Sequence, residues 1–551
     1  MNIKKTAGEI WQEYKDGVSF NDRIELYDKV ERNENFYIGR QWEGVNAPDL
    51  PKPVLNILKR TVAYYISTLC SDDIGTRLRS YTDDEDVKDD LLVYGEEIDR
   101  VMENDKTKSK FRDIIRNAAV DGDGCLYFRF DTSVRTGQPV HGEIRSEIVD
   151  NVNVIFGNPY DWEVQEQPYI IIALRKPCGE VQDMARKNGV RGWDTITPDS
   201  DSRQREVESM NGLTTLLVKM WKEDGGIRAI ETTEKVIVRE EWMPGGMLYP
   251  VAWMNWERVR KCYHGEASIT SMIPNQILIN KHLAMYSRSV EMNAYPKIVY
   301  NKLQFPHGWS NRVGEAIGVN GEVGNAAVQV LRGGDVSSQV MDVTDRIIAN
   351  TKDSMGATDA ALGNINAAQA AASAIIANQQ ASAAPLELNR RCYYDFVEDC
   401  VRIILDQMGT FYGERTVGQE RQEQDPMTGE MITKTEKRKV NFDRIPELVK
   451  NIEVSVGSSA YWSELMQTQT MDNLLRSGII TDPELYLESV PDKWLPNKQK
   501  LIESVKQMKE QQAMAPDGGM AAGPAAQVSD TAPMASKNAG NFYNSMIGGL
   551  L

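Results

Sequence analysis

Residues 360–386 read AALGNINAAQAAASAIIANQQASAAPL, a run without a single Asp, Glu, Lys or Arg in a chain that is 26% charged. Twelve of its positions are alanine, and its polar positions are amides and hydroxyls: Asn364, Asn366, Gln369, Ser373, Asn378, Gln379, Gln380 and Ser382. Alanine is the strongest helix former and no glycine follows Gly363, so the run predicts the start of a long helix. It is too polar to cross a bilayer, which takes about 20 mostly apolar residues. A small-faced, uncharged helix suits two roles: close packing against copies of itself, or lining a passage whose contents must not stick.

Outward from this run the pattern stays helical. After Pro385, which marks a break or kink, apolar residues recur at Phe396, Val397, Val401, Ile404, Leu405 and Met408. On the other side, Val336, Val340, Val343 and Ile347 are spaced by four, three and four residues, the apolar seam of a helix that Met355-Gly356 ends. An earlier long helix carries Ile269, Met272, Ile273, Gln276, Ile279, His282 and Leu283 and stops near Tyr295-Pro296. The stretch between them is rich in glycine and β-formers, with strands at 298–300 and 328–331. Two straight helices therefore bracket a small β knob.

The N-terminal half reads as an α+β body. Residues 1–35 place Ile10, Tyr14, Ile24, Tyr27 and Val30 on an amphipathic helix broken at Gly17. Further helices are expected over 54–69, after the acidic block at 83–90, near 108–120 and near 181–187. Residues 125–130, 152–156 and 169–174 read as strands, and 213–223, 227–232 and 235–240 as an antiparallel set turning at Asp224-Gly225-Gly226. Towards the C-terminus, 425–430 is a hairpin tip between polar strands, 452–456 a strand, and 463–477, 482–488 and 497–512 helices. Residues 513–551, rich in Ala, Gly, Met, Ser and Pro, read as a disordered low-complexity tail.

At 551 residues the chain exceeds one ordinary core. A net charge of −17 argues against gripping nucleic acid by neutralising phosphates. It leaves open a protein that guides DNA without holding it, and solubility alone accounts for the acidity equally well. The six cysteines, Cys70, Cys125, Cys178, Cys262, Cys392 and Cys400, form no Cys-x-x-Cys pair, and the four histidines lack a metal-ligand spacing. Reduced thiols in a cytosol-made protein, with no structural zinc, are expected. Met-Asn-Ile-Lys-Lys opens like a signal peptide, but Glu9, Glu13 and Asp16 stand where an apolar region is required. No apolar run is long enough to span a membrane, so a soluble, non-secreted chain is expected.

The familiar catalytic signatures are missing: no phosphate-binding Gly-x-x-x-x-Gly-Lys-Ser/Thr loop, no Gly-x-Ser-x-Gly, no His-Glu-x-x-His. Asp121-Gly122-Asp123-Gly124 begins like a calcium loop, but Cys125 and a hydrophobic strand follow, which favours a tight turn. The basic cluster at 434–439 reads as a solvated strand end rather than a nucleic-acid contact, and Trp242, Trp253 and Trp256 as core and interface anchors. No cofactor or catalytic constellation is expected. The competing reading is a metal-dependent nuclease or transferase that uses scattered carboxylates of the α+β body, Asp121 and Asp123 among them.

The order of these parts resembles a tailed-bacteriophage portal protein. The likeness rests on residues 35–42 (NFYIGRQW), 53–56 (PVLN), 156–159 (FGNP) and 250–253 (PVAW), and above all on 263–269 (YHGEASI) running into Pro274-Asn275-Gln276 and Asn280-Lys281. It covers residues 30–410, and the C-terminal part adds little. The resemblance implies a ring, commonly of twelve copies, at one capsid vertex, with wing, stem, clip and crown around a DNA channel.

In this chain it implies a wing over 1–264, stem helices over 265–295 and 336–356, and a clip over 296–335. A tunnel loop would follow over 357–366, with Thr358, Asp359, Asn364, Asn366 and Gln369 facing DNA. A long helix would return through the wing over 367–460, and 461–512 would form the crown. Phe305, Trp309, Val319 and Val323 of the clip would present a docking surface for the packaging motor, the terminase large subunit, or for a head–tail adaptor. Major capsid and scaffolding proteins would be the other partners, with assembly in the bacterial cytoplasm and a final place in the virion. No basic residue lies between Lys352 and Arg390, so a lysine constriction is not expected in that loop.

Overall fold

Gly17, expected to break the first helix, is the residue that lets it dock. The helix α1 (Ala7–Arg23) runs straight through it, and a Cβ there would lie 2.2 Å from Ile155 Cγ2. Only glycine admits the strand so closely. The break falls at Glu25, in the left-handed region at φ 58°, before α2 (Leu26–Ile38), and Gly39 at φ 95° closes that helix. The next helix, α3 (Ile57–Leu69), begins later than its apolar spacing predicts. Asn56 caps it by accepting a hydrogen bond from the Lys59 amide at 3.0 Å.

The computed structural model describes residues 3–70, 74–80, 85–199, 212–295, 297–303, 328–331, 338–357, 384–424 and 431–456. Two compact units divide the chain, Met1–Ser463 and Glu464–Leu551, and the second lies outside the described residues. The expected crown helices, the low-complexity tail and the alanine-rich run at 360–383 are outside them as well.

After α3 come β1 (Ile74–Ser80), α4 (Glu85–Asn104), α5 (Thr107–Asp121), β2 (Asp123–Asp131), β3 (Glu143–Val149), β4 (Val154–Phe156) and β5 (Tyr169–Pro177). A short α6 (Cys178–Lys187) precedes β6 (Leu213–Glu223), β7 (Gly226–Thr232), β8 (Ile237–Trp242) and β9 (Val251–Asn255). Then follow α7 (Ile273–Ala294), β10 (Lys297–Tyr300), β11 (Val328–Leu331) and α8 (Ser338–Ser354). The last elements are α9 (Glu387–Phe411), β12 (Glu414–Gln424), β13 (Met431–Asn441), α10 (Ile445–Leu448) and β14 (Val449–Val456). The fold is α+β, as the sequence predicts.

An antiparallel sheet of order β4-β5-β6-β7-β8 and a smaller one of order β3-β2-β9 make the body, with β1–β14, β10–β11 and β12–β13 as separate pairs. Strand alternation divides the interior at β2. Leu126 and Phe128 face a core with Phe111, Ile114 and Phe396, whereas Cys125 and Tyr127 face Phe156, Ile170 and Trp253. The larger sheet repeats the device: Ile155, Ile171 and Leu217 meet Ile10, Tyr14 and Val18 of α1 on its other side. Tyr393, Phe396, Val397, Cys400, Val401, Ile404 and Met408 form the buried stripe of α9, each such side chain contributing about 1.5–3 kcal/mol of transfer free energy.

Candidate functional site

The two helices flanking the β knob form an antiparallel pair, but the expected apolar seam is not what joins them. Of the seam residues, Val336 lies outside the described residues, Val340 and Ile347 are half-buried, and Val343 is 48% exposed. The inward positions are Thr344 and Thr351, both buried. Thr344 Oγ1 donates to the Val340 carbonyl at 2.7 Å and meets His282 Nδ1 at 2.9 Å, so the imidazole donates to the hydroxyl through Nδ1. One rung away, Thr351 Oγ1 donates to the Ile347 carbonyl at 2.7 Å and accepts from Asn275 Nδ2 at 3.1 Å. The rungs are seven residues apart on both helices, the repeat that keeps one face toward its neighbour. The apolar spacing was real, but an exposed face produced part of it.

The helix boundaries also differ from expectation. Residues 265–272 lead into α7 as a loop and a 3₁₀ turn, Thr270–Met272, rather than as helix. With 22 residues, α7 is about 33 Å long. Its buried residues are Ile273, Gln276, Ile279, Asn280 and Ala284, and none from 285 to 294 is buried. An apolar stripe nonetheless stays exposed along the helix. Leu278, Met285 and Met292 are 38%, 40% and 41% exposed and also seven apart, about 60° round from the rungs. Tyr286 and Val290 are exposed beside them. At the far end β10 and β11 pair antiparallel, Lys297 opposite Leu331 and Tyr300 opposite Val328, with Tyr295, Val299 and Leu303 exposed.

The base of the rod is clasped by hydrogen bonds. Gln276 donates to the Leu55 carbonyl at 2.7 Å, accepts from the Ile57 amide at 3.2 Å and donates to Asn280 Oδ1 at 3.0 Å. Asn280 donates to Gln41 Oε1, Gln41 to the Phe36 carbonyl, and Asn56 to the carbonyls of Phe36 and Tyr37. Trp42 Nε1 closes the loop on the Pro53 carbonyl at 2.8 Å. Tyr65 OH donates to the Met355 carbonyl at 2.7 Å, which ties α3 to the end of α8.

A second node holds the segment that leads into α7. Asp123 accepts from Asn255 Nδ2 at 2.8 Å, the Gly265 amide at 2.7 Å and Asn151 Nδ2 at 3.3 Å, and lies 2.7 Å from His264 Nδ1. His264 Nε2 reaches Asn21 Oδ1 of α1 at 3.2 Å. Tyr263 donates to the Val154 carbonyl at 3.0 Å and stacks on Phe156, and burial pushes its hydroxyl well up. Its amide donates to the Pro159 carbonyl, and Trp253 Nε1 to the Tyr263 carbonyl. Gly122, at φ 99°, and Gly265 abut: a Cβ on Gly122 would lie 2.5 Å from the Gly265 carbonyl. Every sequence stretch on which the portal resemblance rests thus contributes to this collar.

The remaining site residues predicted from sequence fall elsewhere. Thr358, Asp359, Asn364, Asn366 and Gln369, and Phe305, Trp309, Val319 and Val323, lie outside the described residues. Asp121-Gly122-Asp123-Gly124 is the end of α5, a left-handed glycine and the start of β2. Both Asp123 oxygens are taken by the node, and no group of three or more His, Cys, Asp or Glu is set to hold a metal among the described residues. In the basic cluster Arg438 pairs with Asp90 at 2.7 Å. Trp253 and Trp256 are buried, and the Arg239 guanidinium lies 3.8 Å over Trp242. No described helix is long and apolar enough to cross a membrane. The polar rungs were missed, although His282 and Asn275, and Thr344 and Thr351, show the period in the sequence itself. Compared with protein-family models and with curated proteins, the chain matches none.

Proposed function

We propose that this chain is the subunit of a bacteriophage portal: a ring, expected to hold twelve copies, at one capsid vertex, through which double-stranded DNA enters during packaging and leaves on ejection. Its role is structural rather than enzymatic. A separate ATPase, the terminase large subunit, docks on the β tip and drives the DNA; a head–tail adaptor takes that place afterwards, and major capsid and scaffolding proteins hold the outside.

The observation that carries this reading is the exposed apolar stripe Leu278–Met285–Met292 on a two-helix rod ended by a β pair. Repeated apolar exposure at a regular spacing calls for a cover. A second copy of the rod supplies one, since the heptad period of the stripe matches helix-on-helix packing. Such a contact between unlike faces, repeated by rotation, closes a ring around a hole. Each lysine–phosphate contact would have to break as DNA slides, and the absence of any charged residue from 360 to 386 fits low friction.

Electron microscopy and mass photometry of the purified full chain test the reading. Rings with a central hole are expected. A chain that stays monomeric or dimeric across the accessible concentration range overturns it.

A further inference from the structure

A ring contact joins two unlike faces of one subunit, and the stripe Leu278–Met285–Met292 supplies one of them. The rungs of the rod fix where the other lies. Measured from His282 at about 100° per residue, Met285, Met292 and Lys281 stand about 60°, 80° and 100° to one side of the line joining the helices. Tyr286 and Val290 stand about 40° and 80° to the other side. On α8, measured from Thr344, Ile347 and Val343 fall about 60° and 100° in the first sense, and Met341 and Asp345 about 60° and 100° in the second. The helices are antiparallel and face each other, so equal senses lie on one side of the rod. One side carries the stripe, Val343 and Lys281; the other carries Tyr286, Val290, Met341 and Asp345.

The second side is also apolar where the helices meet: Tyr286 is 40% and Val290 50% exposed, and Met341 is half-buried. Heights match as well. Rungs at 275–351 and 282–344 set 281 level with 345, and 285 level with 341. Lys281 and Asp345 are both exposed, and neither forms an ion pair among the described residues. Arg288, on the lysine side, is already paired with Glu291 at 3.4 Å. Lys352, on the aspartate side, lies about two turns nearer the body. Asp342, Arg346 and Asp353 stand about 160–180° from the rungs, on the outer edge.

We propose that the stripe of one copy seats in the Tyr286–Val290–Met341 groove of the next, with Met285 on Met341 and Lys281 against Asp345. The occupant is a second copy of this chain because the two faces are apolar at one height and opposite in charge at one height. Two stripes set face to face would leave both grooves open and Asp345 unmatched. The assignment rests on the ring reading and adds to it the face that receives the stripe.

Cross-linking and charge exchange in the full chain test it. Mild oxidation of the M285C/M341C double variant should give a ladder of linked species up to the whole ring on a denaturing gel. The background is the unaltered chain with its own six cysteines. The two new thiols of one subunit lie on opposite sides of its rod, too far apart to join each other. M285C alone should stay at background; linked dimers from it would set stripe against stripe and overturn the proposal. K281E, at an exposed position, should raise the concentration at which half the protein is in rings by about fivefold or more, read by mass photometry. Adding D345K should bring it back to within about twofold of the unaltered chain. If the unaltered chain forms rings, a double-variant gel at background, a K281E chain that assembles normally or a failed D345K rescue overturns this inference alone. An unaltered chain that does not assemble overturns the ring reading and this inference with it.

Discussion

Met285→Asp should prevent the proposed ring from forming while leaving the subunit folded. Leu278, Met285 and Met292 are 38%, 40% and 41% exposed. Full burial of such a side chain is worth about 1.5–3 kcal/mol, so covering what remains of each gives about 1 kcal/mol and the stripe about 3 kcal/mol per contact. An aspartate at 285 removes its share and places a carboxylate in a dry interface, at a further cost of about 2 kcal/mol or more. Each contact should then weaken on the order of 100-fold, enough to shift rings to free subunits at concentrations where the unaltered chain assembles. Mass photometry reads the shift, and the circular dichroism spectrum at low temperature should be unchanged because the site is already exposed in the subunit. Met285→Leu should restore rings. Met247→Asp, at a 62% exposed position away from the rod, is the control. Rings formed equally well by Met285→Asp would refute the assignment of this stripe to the contact.

Thr351→Val removes the hydroxyl that accepts from Asn275 and should lower stability by about 1–2 kcal/mol, seen as a lower urea midpoint at constant slope. An unchanged midpoint would mean that the polar rung holds nothing. Gly122→Ala forces a Cβ against the Gly265 carbonyl at a positive φ and should cost more than about 2 kcal/mol in the same assay, whereas Gly95→Ala, with open space around it, should not. For Asp121 the folded, buried carboxyl holds its proton up to about 8, so its stabilising contribution is full below the ordinary carboxylate range and is lost as pH rises through about 8. Urea midpoints of Asp121→Asn measured from pH 5 to 9 should therefore climb relative to the unaltered chain and level off above the upper pKa. Parallel curves would contradict the shift.

Much of the architecture was legible because it followed periodicity. The α7 and α8 helices, the β10 and β11 strands and the antiparallel set at 213–242 all announce themselves by spacing and turns. The misreadings have physical causes. Gly17 looked like a breaker because sequence does not show that Ile155 approaches it. In β3, Glu143, Arg145 and Glu147 alternate with inward residues and dilute the signal, and β9 is too short, at five wholly buried residues, to show any period. Val343 was assigned inward because apolar spacing cannot tell a face buried in the subunit from one left exposed on it. The collar was legible only as resemblance: the contacts that tie its parts together, Gln276 to Leu55, Asn280 to Gln41 and Tyr263 to Asn21, join residues more than two hundred positions apart, beyond the reach of any local pattern.

Because the rungs between α7 and α8 are set by side chains within the two helices, and the β10–β11 ladder closes just beyond them, the alignment of the shaft owes nothing to the length of chain between Tyr300 and Val328. Insertions, deletions or wholesale exchange of the chain between those residues should be tolerated, while shortening one helix alone, even by a whole heptad, should throw it out of step with the ladder. The β10–β11 pair thus closes the shaft whatever length of chain is carried between its strands.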